Sequence, residues 1–216
     1  MISLKNFDNI IFDFDGTIAD TLHIHENAFN ECLKNFHLNY EYTDYLGQTT
    51  EFTISQILEK NKITISNIKL SELVILKRTL ANTLIKNSSK FIKGADVFLH
   101  SLFLQKKAMY IASSGSKLNV EEGLKALKIE YYFKGVITAH DVSRSKPDPE
   151  TYNKVIHKYG LIREKSIVLE DAVSGIKSGL DAGLHVICIN PQIDISQFEG
   201  EMVRSYTFNK LMDFIK

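Results

Sequence analysis

The sequence predicts an α/β protein, with a doubly wound, mostly parallel sheet and an inserted all-helical domain. Short apolar segments typical of buried strands alternate with helical segments, and this alternation favours right-handed βαβ crossovers. Between Thr21 and Asn87 there is no strand pattern, so this block is predicted to be a helical insertion after the first strand. We expect a core of residues 1–18 and 88–216 and an insertion of residues 19–87.

The elements are predicted in chain order from two periodicities. Strands are expected at five short apolar, β-rich segments: Asn9–Phe14, Ala108–Ala112, Gly135–Thr138, Ser166–Leu169 and His185–Ile189. Helices are expected where apolar residues recur three and four positions apart: Thr21–His37, Thr50–Lys60, Ser66–Lys86, Ala95–Gln105, Lys117–Leu127, a helix ending near Tyr159, Val173–Asp181 and Phe208–Lys216.

Composition excludes several classes of protein. Apolar residues make up 44% of the 216 residues and charged residues 24%, which is the balance of a globular protein and excludes intrinsic disorder. The 26 basic residues equal the 26 acidic ones, so the chain lacks the basic footprint of a nucleic-acid or anionic-membrane binder. Cys32 and Cys188 form no disulfide or metal pattern. We expect a cytoplasmic protein, either a monomer or a homodimer.

The residues that could carry chemistry follow the predicted strands. Parallel strands bring such positions to one edge of the sheet, where ligands bind. They are Asp13 and Asp15, Ser113 and Ser114, Lys146 in a loop with two prolines, and Glu170 and Asp171.

This set of side chains indicates phosphoryl transfer. Four carboxylates in one crevice repel each other unless a cation is present, and oxygen ligands favour Mg²⁺. Mg²⁺ and a lysine together stabilise the charge on a transferring phosphoryl group. One carboxylate could then act as a nucleophile, while another moves the proton.

Four motifs in this order resemble those of the haloacid dehalogenase (HAD) superfamily, in the subgroup with a helical C1-type cap. The resemblance covers essentially the whole chain and points to the phosphoglycolate phosphatase and β-phosphoglucomutase-like branch. The matching segments are Asp13-Phe14-Asp15-Gly16-Thr17, Ser113, Lys146-Pro147-Asp148-Pro149 and Glu170-Asp171.

The resemblance implies a role for each matched residue. Asp13 would be the nucleophile that becomes phosphorylated and Asp15 the general acid/base; residues two apart on an extended chain point the same way. The phosphate would be bound by four residues: Ser113, Ser114, Lys146 and Gly16. Mg²⁺ would be held by Asp13, the backbone carbonyl of Asp15, Asp171 and, directly or through water, Glu170.

Neighbouring residues are expected to play supporting roles. Thr17 would orient Asp15 or cap the turn, while Ser174 and Gly175 would serve helix packing. The superfamily also contains enzymes that break carbon–halogen bonds, and these lack the second aspartate of the first motif. The presence of Asp15 argues against dehalogenation.

The cap is expected to select the substrate. The resemblance places His25, Gly47 and Gln48 opposite the chemistry, and no Lys or Arg lies between Lys34 and Lys60. A second phosphate would need a charge-assisted clamp, so we expect a sugar or polyol monophosphate to be hydrolysed. Two alternatives stay open: a β-phosphoglucomutase-like sugar phosphomutase, and a non-catalytic binding protein on the same fold.

Overall fold

The computed structural model describes residues 3–198 and 202–214. Within these residues a parallel sheet has the order β3-β2-β1-β4-β5-β6. Its strands are β1 Asn9–Phe12, β2 Ala108–Ala112, β3 Phe133–Ile137, β4 Ser166–Glu170, β5 His185–Cys188 and β6 Val203–Ser205. Every pair of neighbouring strands is parallel, which confirms the predicted fold class.

Helices alternate with the strands. The α-helices are α1 Leu22–Leu33, α2 Thr50–Lys60, α3 Asn67–Ser88, α4 Ala95–Leu104, α5 Lys117–Leu127, α6 Glu150–Tyr159, α7 Val173–Asp181 and α8 Phe208–Leu211. Short 3₁₀ helices lie at Leu4–Asn6, Lys34–Phe36, Tyr42–Tyr45, Glu130–Tyr132, Ala139–Asp141, Arg163–Lys165, Ile195–Phe198 and Met212–Phe214.

Both faces of the sheet are buried, which explains why its central strands are apolar throughout. On β1, Ile10 and Phe12 pack into one cluster with α4, α5 and α8, while Ile11 between them packs into another with α6 and α7. Such alternation is the two-residue period of a strand. The carboxyl ends of β1, β2 and β4 therefore lie side by side.

Helices α1, α2 and α3 form a helical insert between β1 and β2. They share an apolar cluster of their own, in which Phe29, Ile57 and Leu73 are buried. The insert also touches the core, because Ile85 of α3 packs close to Gly123 of α5.

Several predicted boundaries were wrong. The strand predicted to reach Phe14 ends at Phe12, because the Phe14 carbonyl accepts from the N–H groups of both Ile18 and Ala19 in a turn. The first helix ends at Leu33 and continues as 3₁₀ up to His37, which has a left-handed backbone. The last predicted helix becomes 3₁₀ after Leu211, and residues 215–216 of it lie outside the described residues.

Candidate active site

A buried lysine joins two of the acidic motifs at the edge of the sheet. The Lys146 ammonium lies 2.7 Å from Asp13 Oδ1 and 2.6 Å from Glu170 Oε1, and it also donates to the Ala112 carbonyl. Burial alone would lower the pKa of Lys146, but the two carboxylates outweigh burial and raise it. The lysine is therefore a fixed positive charge beside Asp13.

Both oxygens of Glu170 have hydrogen-bond donors. Its Oε1 accepts from Lys146 and from the Tyr152 hydroxyl at 2.7 Å. Its Oε2 accepts from the backbone N–H groups of Asp171 and Ala172. A side chain at Gly175 would collide with this carboxylate. Gly175 therefore has the packing role expected for it, and the group that packs against it is the Glu170 carboxylate.

Asp171 completes a cluster of three buried carboxylates. One oxygen each of Asp13, Glu170 and Asp171 lies within 4.8 Å of the others. Burial and the neighbouring Glu170 raise the pKa of Asp171 to about 8, and burial also raises the pKa of Asp13. Three carboxylates and one ammonium leave two negative charges when all are ionised, so this arrangement favours a divalent cation.

Two residues of the first motif support Asp171. Thr17 donates to Asp171 Oδ1 at 2.8 Å, so neither role expected for it, orienting Asp15 or capping the turn, describes this contact. Gly16 has a φ of +86°, and a side chain there would collide with the Asp171 carboxylate. Only glycine adopts this backbone region freely, so the turn brings the first and last motifs together.

Asp15 is held by residues of the helical insert. Its Oδ1 accepts from the Thr21 hydroxyl at 2.6 Å and lies 2.9 Å from His25 Nε2. On the other side of the imidazole, Lys77 Nζ of α3 lies 2.7 Å from His25 Nδ1. An ammonium can only donate, so Nδ1 accepts and Nε2–H donates to Asp15.

The pKa shifts of Asp15, His25 and Lys77 agree with that assignment. Burial raises the pKa of Asp15, but His25, Thr21 and Lys77 together outweigh burial and lower it. Burial and Lys77 lower the pKa of His25, which favours the neutral imidazole. Burial lowers the pKa of Lys77 to about 7.

The loop after β2 supplies hydroxyls to the same pocket. Ser113 Oγ accepts from the Gly115 N–H at 2.9 Å. Ser114 Oγ is buried and has no hydrogen-bond partner among the described residues. Both serines line the pocket with Asp13 and Asp15. An unpartnered buried hydroxyl on a residue that lines a pocket is suited to bind a ligand oxygen.

The pocket between the core and the helical insert is narrow, with a volume of about 40 Å³. The residues that line it from the insert include His25, Gly47, Gln48 and Lys77. The Gln48 Oε1 and Asn119 Oδ1 atoms are buried without a partner among the described residues. Two unpartnered acceptors suit hydroxyl groups of a ligand.

Four residues of this arrangement were missed in the sequence: Thr21, Lys77, Asn119 and Tyr152. Lys77 had a detectable signal, because it interrupts the buried face of α3 at helical spacing from Leu73, Ala81 and Ile85. A charged residue at such a position is costly unless it is paired. Asn119 and Tyr152 follow ordinary helix patterns and gave no comparable signal.

No helix in residues 3–198 and 202–214 combines the length and apolar character needed to cross a membrane.

Comparison with known proteins agrees with this architecture. The chain is 25% identical over 186 residues to the fructose-1-phosphate phosphatase YqaB of Escherichia coli K12, covering 85% of this chain and 96% of YqaB. It is 26% identical over 183 residues to a phosphorylated carbohydrates phosphatase of Thermotoga maritima, covering 82% of each. Its fold is similar to that of a Clostridium difficile β-phosphoglucomutase structure, with a TM-score of 0.82, 20% identity and 97% of each chain covered.

A family model described as haloacid dehalogenase-like hydrolase matches residues 10–189, which include all four motifs. With the relatives named as phosphatases, this match confirms the prediction of a phosphoric monoester hydrolase. The chain belongs to the haloacid dehalogenase-like hydrolase family.

Proposed function

We propose that the protein is a Mg²⁺-dependent phosphatase that hydrolyses a sugar or polyol monophosphate through an aspartyl-phosphate on Asp13. The observation that carries this proposal is the position of Asp13, which contacts Lys146, belongs to the acidic cluster and lines the same pocket as Asp15. The named substrates of the relatives, fructose 1-phosphate and phosphorylated carbohydrates, support the substrate class.

The residues present fit Mg²⁺. Asp13 and Asp171 would hold it, together with the backbone carbonyl of Asp15. Glu170 would act through water, because four hydrogen bonds already occupy its two oxygens. When bound, Mg²⁺ supplies positive charge that offsets the charge on a phosphoryl group.

Asp13 would attack phosphorus with a carboxylate oxygen, forming an O–P bond as the bond to the leaving oxygen breaks. Lys146 fixes the Asp13 carboxylate at 2.7 Å and adds positive charge beside the phosphoryl group. Ser113, Ser114 and the backbone at Gly16 would bind the phosphoryl oxygens.

Asp15 would give a proton to the leaving oxygen and later take one from the attacking water. Its lowered pKa keeps the carboxylate ionised, which is the form that accepts a proton in the second step. For the first step Asp15 needs a proton. The chain from Lys77 through His25 can supply it, because the pKa of Lys77 is about 7 and the contacts are 2.7 and 2.9 Å.

Residues 19–87 would act as a cap domain over residues 1–18 and 88–216. His25, Gly47 and Gln48 would contact the organic part of the substrate. The two unpartnered acceptors, Gln48 Oε1 and Asn119 Oδ1, favour a substrate with hydroxyl groups.

The cytoplasm is the compartment that we propose, with no nucleic-acid or membrane partner. The support is the balanced charge of the chain and the two buried cysteines, which form no disulfide. The partner is then a small phosphorylated metabolite alone.

A sugar phosphomutase is the second candidate, and Lys77 is the observation that favours it. This lysine brings a cation into the pocket although none lies between Lys34 and Lys60. Its amine is already engaged with His25 and lies 4.3 Å from the centre of the Phe29 ring, so we favour hydrolysis.

The test is phosphate release with Mg²⁺ from a panel of sugar, polyol and nucleoside monophosphates and an aryl phosphate. Asp13→Asn and EDTA treatment should each abolish release, because they remove the nucleophile and the metal. Asp8→Asn, the same substitution at an exposed position, is the matched control and should keep activity.

Isomerisation of β-glucose 1-phosphate with a bisphosphate primer, faster than hydrolysis, would instead establish the mutase. Release that persists in Asp13→Asn would refute the aspartyl-phosphate. A well-folded protein that releases no phosphate and isomerises no sugar would favour the binding protein.

A further inference from the structure

A loop of the helical insert is tied to the core at one polar contact. We call residues 42–49 the cap loop; it runs from a 3₁₀ turn into α2, and Gly47 and Gln48 of it line the pocket. Ser174 Oγ of α7 donates to the Leu46 carbonyl at 2.8 Å. Among the described residues, this is the one hydrogen bond between the cap loop and the core.

Close packing accompanies this hydrogen bond. Gly47 has a φ of +77°, and a side chain there would collide with Ser174 Oγ and press on the Cβ of Ala172. The loop backbone therefore lies directly against the first turn of α7. Glycine is the residue that permits both this backbone conformation and this approach.

Ser174 has no other evident task. The N-cap of α7 is Ala172, which offers no capping side chain. The Ser174 hydroxyl does not cap the helix either, because it donates to the Leu46 carbonyl of the cap loop. Helix packing, the role expected for Ser174 from the sequence, does not account for this contact. Ser174 lies three positions after Asp171, so the contact connects the cap loop to the acidic segment.

We propose that Ser174 is a positioning residue that holds the cap loop against the core through its hydrogen bond to the Leu46 carbonyl. We call this contact the latch. This inference rests on the proposed function, because the latched loop directs Gln48 towards the organic part of the substrate. Latching also narrows the path for bulk water to the phosphorylated aspartate. One neutral hydrogen bond shifts such an equilibrium by about 2- to 10-fold.

The first test is hydrogen exchange of the cap loop in substrate-free protein, comparing wild type with Ser174→Ala. The Gln48 amide donates to the Tyr45 carbonyl within the loop, and the Asp44 amide donates to Glu41, the residue just before it. We expect both amides to exchange about 2- to 10-fold faster in the variant. Ser178→Ala is the matched control. It removes a 2.7 Å hydrogen bond from the same helix to the Asp148 carbonyl, away from the cap loop, and should leave loop exchange unchanged.

The second test measures phosphate release by the same proteins. We expect Ser174→Ala to lower kcat/KM about 2- to 10-fold for a polyol phosphate and less for an aryl phosphate that has no hydroxyl for Gln48. A purely structural role would lower the two equally. Equal losses, or loop exchange as slow as in wild type, would overturn the latch.

A double-mutant cycle tests the contact itself. Gly47→Ala should speed loop exchange strongly, and it should do so less in the Ser174→Ala background, because the colliding hydroxyl is gone. Strictly additive effects would also overturn the latch. If wild type releases no phosphate from any substrate, the proposed function fails while the exchange measurements still decide whether the loop is latched.

Discussion

Lys77 is a buried cation whose position in the pocket costs stability. Its side chain is 3% exposed, and its amine contacts His25 Nδ1 and the Phe29 ring. Removal from water lowers its pKa from 10.5 to about 7. A buried ionisable group that lines a pocket and has a strongly shifted pKa is a candidate for a functional role.

We predict that Lys77→Met makes the protein more stable and less active. At pH 6 the free energy of unfolding should rise by roughly 2–4 kcal/mol, since the folded protein no longer buries an ammonium. The catalytic rate should fall by about 10- to 100-fold, because Asp15 loses its proton supply through His25. Denaturant unfolding and phosphate release measure the two effects.

The extra stability expected for Lys77→Met should decrease as the pH rises. Between pH 7 and 10.5 an unfolded chain keeps the lysine proton and the folded protein loses it, so wild type gains stability as the pH rises. The advantage of Lys77→Met should therefore be complete below pH 7 and shrink towards pH 10.5. Lys86→Met, at an exposed position of the same helix, should show neither effect. A destabilised Lys77→Met protein would contradict this account.

Helix α7 connects three parts of the site through its small residues. Gly175 packs on the Glu170 carboxylate, Ser174 contacts the cap loop, and Ser178 Oγ donates to the Asp148 carbonyl in the lysine-motif loop. Gly175 leaves no room for a side chain, and the other two contacts are made by serine hydroxyls. The helix therefore sets the relative positions of Glu170 and Lys146.

We predict that Gly175→Ala lowers activity although alanine favours a helix. The new Cβ would displace the Glu170 carboxylate from Lys146, and such displacement costs about 10- to 100-fold in kcat/KM. Gly160→Ala is the control: its φ of +62° makes it destabilising by about 1 kcal/mol, but nothing lies within 4 Å of its Cβ. Kinetics and thermal unfolding compare the two. Full activity of Gly175→Ala would show that Glu170 can move freely.

The elements were predictable where local signals were strong. Helices α2 and α5 begin where predicted, because the Thr49 and Ser116 side chains accept from the N–H groups of the first turn. Strand β6, Val203–Ser205, was missed. It has three residues, one of them an exposed arginine, and it is a strand because it pairs with β5.

At the scale of the whole molecule, a neutral chain concentrates negative charge in one place. The formal net charge is zero, yet Asp13, Glu170 and Asp171 are buried together with Lys146 as the cation in contact with them. Burial and the neighbouring Glu170 raise the pKa of Asp171 to about 8. Stability should therefore depend on both pH and Mg²⁺.

We predict that in EDTA the Asp171→Asn protein becomes more stable than wild type as the pH rises from 4 to 8. Over this range the folded wild type holds a proton on Asp171 that the unfolded chain has lost, so wild-type stability falls. Groups common to both proteins, such as His25 and Lys77, contribute equally to the pH dependence of both stabilities, so their contributions cancel in the difference. Thermal unfolding at several pH values measures the difference.

Added Mg²⁺ should make wild type more stable than Asp171→Asn at pH 8. A ligand at 100 times its dissociation constant stabilises the folded state by about 2.7 kcal/mol, and Asp171→Asn lacks one of the proposed ligands. Asp181→Asn, at an exposed position, should behave as wild type in both conditions. An equal response of wild type and Asp171→Asn to Mg²⁺ would argue against Asp171 as a ligand.

The sequence by itself determined the α/β class, the helical insert and the set of residues at the carboxyl ends of the strands. These predictions rest on local features of the sequence. They are the two-residue period of strands, the periodicity of helices and the motifs that directly follow strands. The tertiary structure decided which side chains meet. Lys77 and His25 are 52 residues apart and Ser174 and Leu46 are 128 apart, and no local pattern records a contact between distant residues that only the packing of helices on the sheet creates.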